Sequence, residues 1–316
     1  MKNILIYRTG SLGDTIVSLA SIQLIKNLNP DNKIFFFSIK NEDPNSVSPI
    51  EIIKDLNIIN EYIELNNITS LKSFFETLRI LGKYKFEKIY YLNEDRPLRK
   101  KIRDFIFFRV FLNYKIIGLN LFSQNNNLYE GFYLINKIKK TSFNEFDNLN
   151  KIIRKKIKSK IGLYNYFNVK NYITISPGGR IPSKRWNINN WKIFINKIIT
   201  QNKNVKIVIL GTKSDMNQNS LISKLNKNNI INLTGKTSIS DLKHILNFSN
   251  MHICHDDGTM HLAMLLNKKV ISLFHNLNFK EKWFQGHNKN YIQLYSSRGI
   301  NKVKINQVMS KFKEIK

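Results

Sequence analysis

The sequence contains one cysteine, Cys254, which excludes an intramolecular disulfide and any site built from several thiolates, and which suits a reducing compartment. Long apolar runs are missing too. The longest candidate, Phe105 to Leu112, is interrupted by Arg109 and falls well short of the ~18 residues that a membrane span needs. Met1-Lys2 leads straight into an apolar run that reads as a strand, without a small-residue cleavage site, so no secretory leader and a cytoplasmic location are expected. Carboxylates are scarce: 22 Asp+Glu stand against 51 Lys+Arg, a formal net charge of +29. Nucleic acid, an anionic membrane surface or a phosphorylated substrate would each be drawn by that field. A chain crowded with Lys, Asn and Ile equally carries lysine as its default surface residue. What is present is core: 42% hydrophobic and 12% aromatic residues over 316 positions exclude disorder and supply two domains.

The order of elements is strand, then helix, repeated. Lys2 to Arg8 is a short β-branched run that ends in Thr9-Gly10-Ser11-Leu12-Gly13-Asp14, after which Ile16, Leu19, Ala20 and Ile22 recur at helical spacing. Pro30 closes that helix, Lys33 to Ser38 is a second strand, and Glu87 to Leu92 and Lys115 to Gly118 read as two more. The pattern restarts near Tyr172 with strands at 173–176 and 205–210 around a helix over 190–200. Met251 to Cys254 and Val270 to Phe274 follow as strands. Ser238 and Asp241 have capping-box spacing ahead of Leu242, Ile245 and Leu246. Such alternation predicts α/β architecture: two Rossmann-like domains with parallel sheets, over residues 1–165 and 166–303. The seam is expected within Asn136 to Lys170, with the basic stretch Lys151 to Lys160 as an exposed bridging helix and 304–316 as a terminal helix that packs back across it.

Four segments offer chemistry. The turn Thr9, Gly10, Ser11, Gly13, Asp14 lies at the carboxyl end of a strand, where open α/β sheets bind ligands, although an aspartate opening a helix is also an ordinary cap. Ser176-Pro177-Gly178-Gly179-Arg180, followed by Lys184-Arg185-Trp186, joins glycines that admit an anion to charges suited to phosphate; a glycine turn with a solvated basic pair is the plain alternative. Gly211 and Leu233-Thr234-Gly235-Lys236 are two strand ends bordering the same crevice. In His255-Asp256-Asp257-Gly258-Thr259-Met260-His261, the amides of Gly258, Thr259 and Met260 open a helix and suit an anion. His252, Cys254, His255, Asp256, Asp257 and His261 are all potential metal ligands. Strand alternation turns His252, Cys254 and Asp256 away from His255, so no compact metal set is expected.

Taken together and in order, ILIYRTGSLGD, SPGGRIPSKRW, INLTGKTSISDL and HDDGTMHLAMLLNKKVISLF resemble the motifs of glycosyltransferase family 9, the lipopolysaccharide heptosyltransferase family, over residues 1–30 and 173–275. The resemblance implies a GT-B fold whose two Rossmann-like domains face a central cleft, the first receiving the acceptor and the second a nucleotide sugar, usually ADP-heptose. It implies inverting transfer with no metal and no cofactor. The family's aspartate falls on Asp14 as general base, its lysine on Lys184, and its Asp, Gly and His on Asp256, Gly258 and His261. Gly178, Gly179, Arg185, Gly235, Lys236, Thr259 and Met260 complete the expected donor side, and Thr9, Gly10, Ser11 and Gly13 the acceptor turn. The chain departs from the family at Asp257, where Ser or Thr is usual. A carboxylate there repels a diphosphate unless it is turned away, protonated, or paired with Lys184, Arg185 or Lys236. A phosphorylated glycolipid acceptor at an anionic membrane surface would use the net charge, and Arg99 to Tyr114 has the composition to rest on that surface or to be a core helix with basic flanks. No nucleic-acid recognition motif accompanies the charge. A nucleotide-sugar epimerase or hydrolase of similar fold, a basic nucleic-acid-binding protein and a silent scaffold are the competing readings.

Overall fold

The computed structural model describes residues 2–40, 47–66, 70–122, 128–161, 171–275, 281–286 and 288–315. The chain divides into two units, Met1–Ile157 and Lys158–Lys316. Residues 162–170, the far part of the expected seam, lie outside the described residues.

The first unit is a five-stranded parallel sheet in the order β3-β2-β1-β4-β5. Its strands are β1 (Asn3–Tyr7), β2 (Lys33–Ile39), β3 (Glu61–Leu65), β4 (Phe86–Tyr91) and β5 (Lys115–Ile117). Both faces of β1 and β2 are covered, which is why these strands read as unbroken apolar runs. Tyr7, Phe35, Phe37, Tyr91, Phe107 and Phe108 fill one face with aromatic rings. The helices are α1 (Leu12–Leu28), α2 (Ile50–Ile53), α3 (Leu71–Gly82), α4 (Leu98–Phe105), α5 (Glu130–Asn136) and α6 (Phe143–Ser159). A single π turn, Ile106–Phe111, continues α4.

The second unit is a six-stranded parallel sheet in the order β11-β10-β9-β6-β7-β8. It comprises β6 (Tyr172–Ser176), β7 (Lys206–Ile209), β8 (Ile230–Asn232), β9 (Met251–His255), β10 (Lys269–Phe274) and β11 (Tyr291–Tyr295). Around it lie α7 (Ile188–Gln201), α8 (Met216–Ser223), α9 (Ile239–Phe248), α10 (Gly258–Leu265) and α11 (Ile305–Ile315). Trp186, Trp191, Phe194, Ile195 and Ile198 pack on one side of the strands. In each sheet the chain winds outward from a central strand, β1 or β6, and then returns to that strand's other side with β4 or β9. That reversal opens a crevice at the strands' carboxyl ends.

The basic stretch at 151–160 is the last part of α6, which buries Phe146, Leu149, Ile153 and Ile157 at helical spacing and leaves most of the other residues of the stretch exposed; Lys156 Nζ donates to Gln23 Oε1 at 3.0 Å. The terminal helix α11 packs on α7 and β10 of the second unit, where Val308, Met309 and Phe312 join the core.

Candidate active site

In the first unit the reversal point lies between β1 and β4, and the turn after β1 carries Thr9 to Asp14. Ser11 is the N-cap of α1, with Asp14 at the helix's third position. Asp14 Oδ2 accepts from Ser11 N at 2.7 Å and Ser11 Oγ at 2.8 Å, so the capping role is real. The same carboxylate remains about a quarter exposed, and its Oδ1 faces the Nη2 of Arg8 at 3.5 Å. Gly10 makes the turn possible: at φ +130° it stands where a Cβ would lie 2.6 Å from the Asp14 side chain. Gly13 is buried in the first turn of α1.

Residues that the sequence did not single out hold this turn. Arg8, only 1% exposed, donates from Nε to the Asp14 carbonyl at 3.1 Å and from Nη1 to the Leu92 carbonyl at 2.6 Å, tying β1 to β4. Asn93 Oδ1 accepts from Thr9 N at 2.8 Å and from Thr9 Oγ1 at 3.0 Å. Arg96 donates to Thr9 Oγ1 and pairs with buried Asp104 at 3.2 Å. Lys137 donates to the Asn93 carbonyl at 3.0 Å; burial pushes its pKa down to about 7. An arginine closing a strand ahead of a glycine turn was the available signal for Arg8. Asn93, Arg96 and Lys137 are brought in by tertiary structure alone.

In the second unit, Gly178 and Gly179 follow β6, Gly211 follows β7, Gly235 follows β8, and Asp256 to Gly258 follow β9. Gly178 is fixed by contact: a Cβ would lie 2.2 Å from Asp215 Cγ. Buried Asp215, unforeseen despite the capping spacing Thr212-x-x-Asp215, accepts from Gly179 N at 3.1 Å and Thr212 N at 2.9 Å. Gly235 N donates to the Gly211 carbonyl at 2.9 Å, and a Cβ on Gly235 would crowd Lys213. Lys236 beside it is exposed. These contacts join three of the predicted glycine segments into one rim.

Lys184 Nζ lies 2.5 Å from Asp256 Oδ2, both largely buried, so the ammonium is held between the ends of β6 and β9. Arg185 Nε donates to the Gly179 carbonyl at 2.7 Å and its Nη2 lies 3.9 Å from Asp215. Buried His255 joins the two loops: its Nε2 accepts from Trp186 N at 2.9 Å, which leaves Nδ1 to donate to the Gly178 carbonyl at 3.0 Å. Desolvation pushes its pKa down to about 4, so this neutral tautomer holds across the physiological range. His255 thus supports the two loops from behind.

The carboxylate at 257 is now explained. Asp257 is the N-cap of α10, and its Oδ1 accepts from Thr259 N at 2.8 Å, Met260 N at 3.0 Å and Thr259 Oγ1 at 2.6 Å. The amides of Thr259 and Met260, expected to face an anion, are therefore turned onto this side chain; of the three expected amides only Gly258's is not taken by Asp257. The partner of Lys184 is Asp256, not Asp257. Burial pushes the Asp257 carboxyl up to about 6, against the hydrogen bonds that favour its ionised form. The Met260 side chain is fully buried, and His261 is buried with its ring edge on Trp283 at 5.9 Å. Both support α10 from within.

Ligand atoms of His252, Cys254 and Asp257 lie within 4.8 Å of one another, closer than the strand alternation suggested. Hydroxyls occupy both ring nitrogens of His252: Thr174 Oγ1 at 2.9 Å and Thr259 Oγ1 at 2.8 Å. Burial also raises the Cys254 thiol pKa well above its ordinary value. Through Thr259, His252 and Asp257 thus form a hydrogen-bonded support for the start of α10, while Cys254 Sγ donates to the Ile271 carbonyl at 4.0 Å.

The sequence profile of glycosyltransferase family 9 (heptosyltransferase) matches residues 130–313. No sequence among the curated proteins matches the chain. Among solved structures, the chain is similar to the glycosyl transferase family 9 protein from Veillonella parvula, at 17% identity over 99% of this chain and 97% of that one, with a TM-score of 0.71. It is similar to E. coli ADP-heptose lps heptosyltransferase II at 14% identity over 100% and 98%, TM-score 0.70. It is also similar to E. coli heptosyltransferase WaaC with ADP at 11% identity over 99% and 100%, TM-score 0.71. At these identities the likeness shows the fold, which is of the GT-B kind.

Proposed function

The chain belongs to glycosyltransferase family 9, and from that premise we propose that it transfers a heptose from ADP-heptose, with inversion and without a metal ion, to a hydroxyl of a phosphorylated glycolipid or glycan acceptor of the lipopolysaccharide-core type. The observation that carries the reading is the buried Lys184–Asp256 pair at the reversal point of the second sheet, ringed by Gly178, Gly179, Arg185 and Gly258. The donor names come from similar proteins: heptosyltransferase II is described as acting with ADP-heptose and WaaC is bound to ADP.

In this reading the bond from the anomeric carbon to the diphosphate oxygen breaks as the bond to the acceptor oxygen forms on the opposite face of the sugar. An ammonium has three N–H donors, so Lys184 can bridge Asp256 and a phosphate oxygen, stabilising the charge that develops on the leaving diphosphate. Arg185, Lys236 and the Gly258 amide add to that field, with Gly235 shaping the rim. Asp14 takes the acceptor proton, held in orientation by Ser11 and Arg8. Thr9, Gly10 and Gly13 shape the acceptor turn. The guanidinium groups of Arg8 and Arg96 around that turn suit an acceptor that carries phosphate.

Thermal-shift titration with ADP-, GDP-, UDP-, CMP- and dTDP-linked sugars tests the donor. At 100 times its dissociation constant a true ligand adds about 2.7 kcal/mol of stability, and the ADP sugar should do so alone. ADP release should then require the acceptor. Release without it would indicate an epimerase or hydrolase, and stabilisation by no nucleotide would indicate a scaffold.

A further inference from the structure

The segment after β4 has two faces that part company. On the inner face, Lys101 pairs with Asp95 at 2.5 Å, Asp104 with Arg96 and Arg103, and Phe107 and Phe108 enter the aromatic core. On the outer face, Ile102, Phe105, Ile106, Val110 and Phe111 stand in solvent, Val110 at 64% and Phe111 at 55% exposure. The π turn helps to make this division. Its extra residue per turn lets consecutive Phe107 and Phe108 both point inward while Val110 and Phe111 remain outside.

The apolar strip continues onto α3. Phe74 packs edge-on to Phe111 at 5.3 Å, and its neighbours Leu71 and Phe75 are 78% and 62% exposed. So much apolar surface on one side of a small unit is unusual for a protein surface that meets only water. Along α4 and its π turn the rim has one sign. Arg99, Lys100, Arg103 and Arg109 are exposed along 98–111, and the single carboxylate there, Asp104, is buried and paired.

From this pairing of exposed aliphatic and aromatic side chains with a row of exposed cations, we infer that α4 and its π turn, with the exposed edge of α3, form an interfacial anchor that lies on an anionic lipid bilayer. The charge complementarity selects the occupant. A second copy of this basic chain would bring cations against cations, whereas an anionic leaflet neutralises the rim and receives the apolar strip at headgroup depth. The anchor would hold the chain at the membrane surface, where a glycolipid acceptor of the proposed reaction lies. It is measurable without donor or acceptor, so its failure leaves the transferase reading standing, and failure of that reading leaves the anchor testable.

The test is co-sedimentation of the full chain with vesicles of phosphatidylcholine containing about 30% phosphatidylglycerol, and with phosphatidylcholine alone. The wild type should bind the anionic vesicles at least roughly tenfold more tightly than the neutral ones, less so as salt rises. Two variants on exposed positions, Val110→Ser/Phe111→Ser and Arg99→Gln/Lys100→Gln/Arg109→Gln, should each weaken that binding by about tenfold or more while the thermal transition stays put. No binding by the wild type, or undiminished binding by the Ser variant, would overturn the inference. So would a wild-type dimer in lipid-free solution that the Ser variant dissociates, because the strip would then belong to a second copy.

Discussion

Replacing Asp257 with Asn should stabilise the protein at neutral pH, although Asp257 makes three hydrogen bonds. The side chain caps α10 through Oδ1, and an asparagine oxygen accepts from Thr259 N and Met260 N equally well. What the substitution removes is a charge that the site tolerates poorly. Burial raises the carboxyl from 3.8 to about 6, and a shift of that size corresponds to at most about 3 kcal/mol held against folding once the group is ionised. The folded state retains its proton longer than the unfolded chain, so this contribution to stability falls as pH rises from about 4 to about 6 and is level above that. Buried His252 and His255, with pKa values pushed down to about 3 and about 4, act in the opposite direction over the same range. The difference between variant and wild type isolates Asp257. It should be near zero at pH 4 and reach about 1–3 kcal/mol above pH 6, which for a unit of this size is roughly 3 to 9 °C in melting temperature. Thermal unfolding of both proteins across that range is the assay. A difference independent of pH, or an Asn variant less stable at neutral pH, would refute the reasoning. If the proposed donor site is right, the same substitution should also tighten binding of a nucleotide diphosphate, since it removes a negative charge beside Asp256 and Gly258.

Gly178→Ala should lose both stability and nucleotide binding, because its Cβ would meet Asp215 Cγ at 2.2 Å and dislodge the carboxylate that holds Gly179 and Thr212; ADP titration and melting read the two losses. Lys137→Met should raise stability by about 2 kcal/mol near pH 7, less than the whole shift implies because Met also gives up the hydrogen bond to the Asn93 carbonyl. In the wild type the unfolded chain keeps that lysine's proton to about pH 10.5 while the folded state releases it near 7. Stability therefore gains from this group as pH rises between those values, and the Met variant should lack the gain in a pH series of melts.

The interior strands and the glycine turns were legible in the sequence because parallel strands covered on both faces carry continuous apolar runs, and β1, β2, β6, β9 and β10 do so. The strands passed over, β3 and β11, are sheet edges of mixed composition, EYIEL and YIQLY, with partly exposed residues and no such run. In the basic stretch at 151–160 the lysines mask an apolar spacing that Ile153 and Ile157 continue from Phe146 and Leu149, so its buried face was not legible. At the candidate site, motif residues were identifiable, and what escaped was the layer behind them. Arg8, Asn93, Asp215 and His255 touch segments up to 84 positions away, a relation that no local spacing encodes. The role of Asp257 also needed coordinates, since a carboxylate beside a phosphate site and a carboxylate capping a helix look alike in one dimension.

The division of labour between the two sheets is tested most directly by measuring ADP affinity and turnover together for wild type, Asp14→Asn and Lys184→Ala. Asp14→Asn should lower kcat by about 10²–10⁴-fold and leave the ADP dissociation constant unchanged, whereas Lys184→Ala should weaken ADP as well as slow transfer. An Asp14→Asn protein that turns over at the wild-type rate, or a Lys184→Ala protein that binds ADP as tightly as the wild type, would contradict the account.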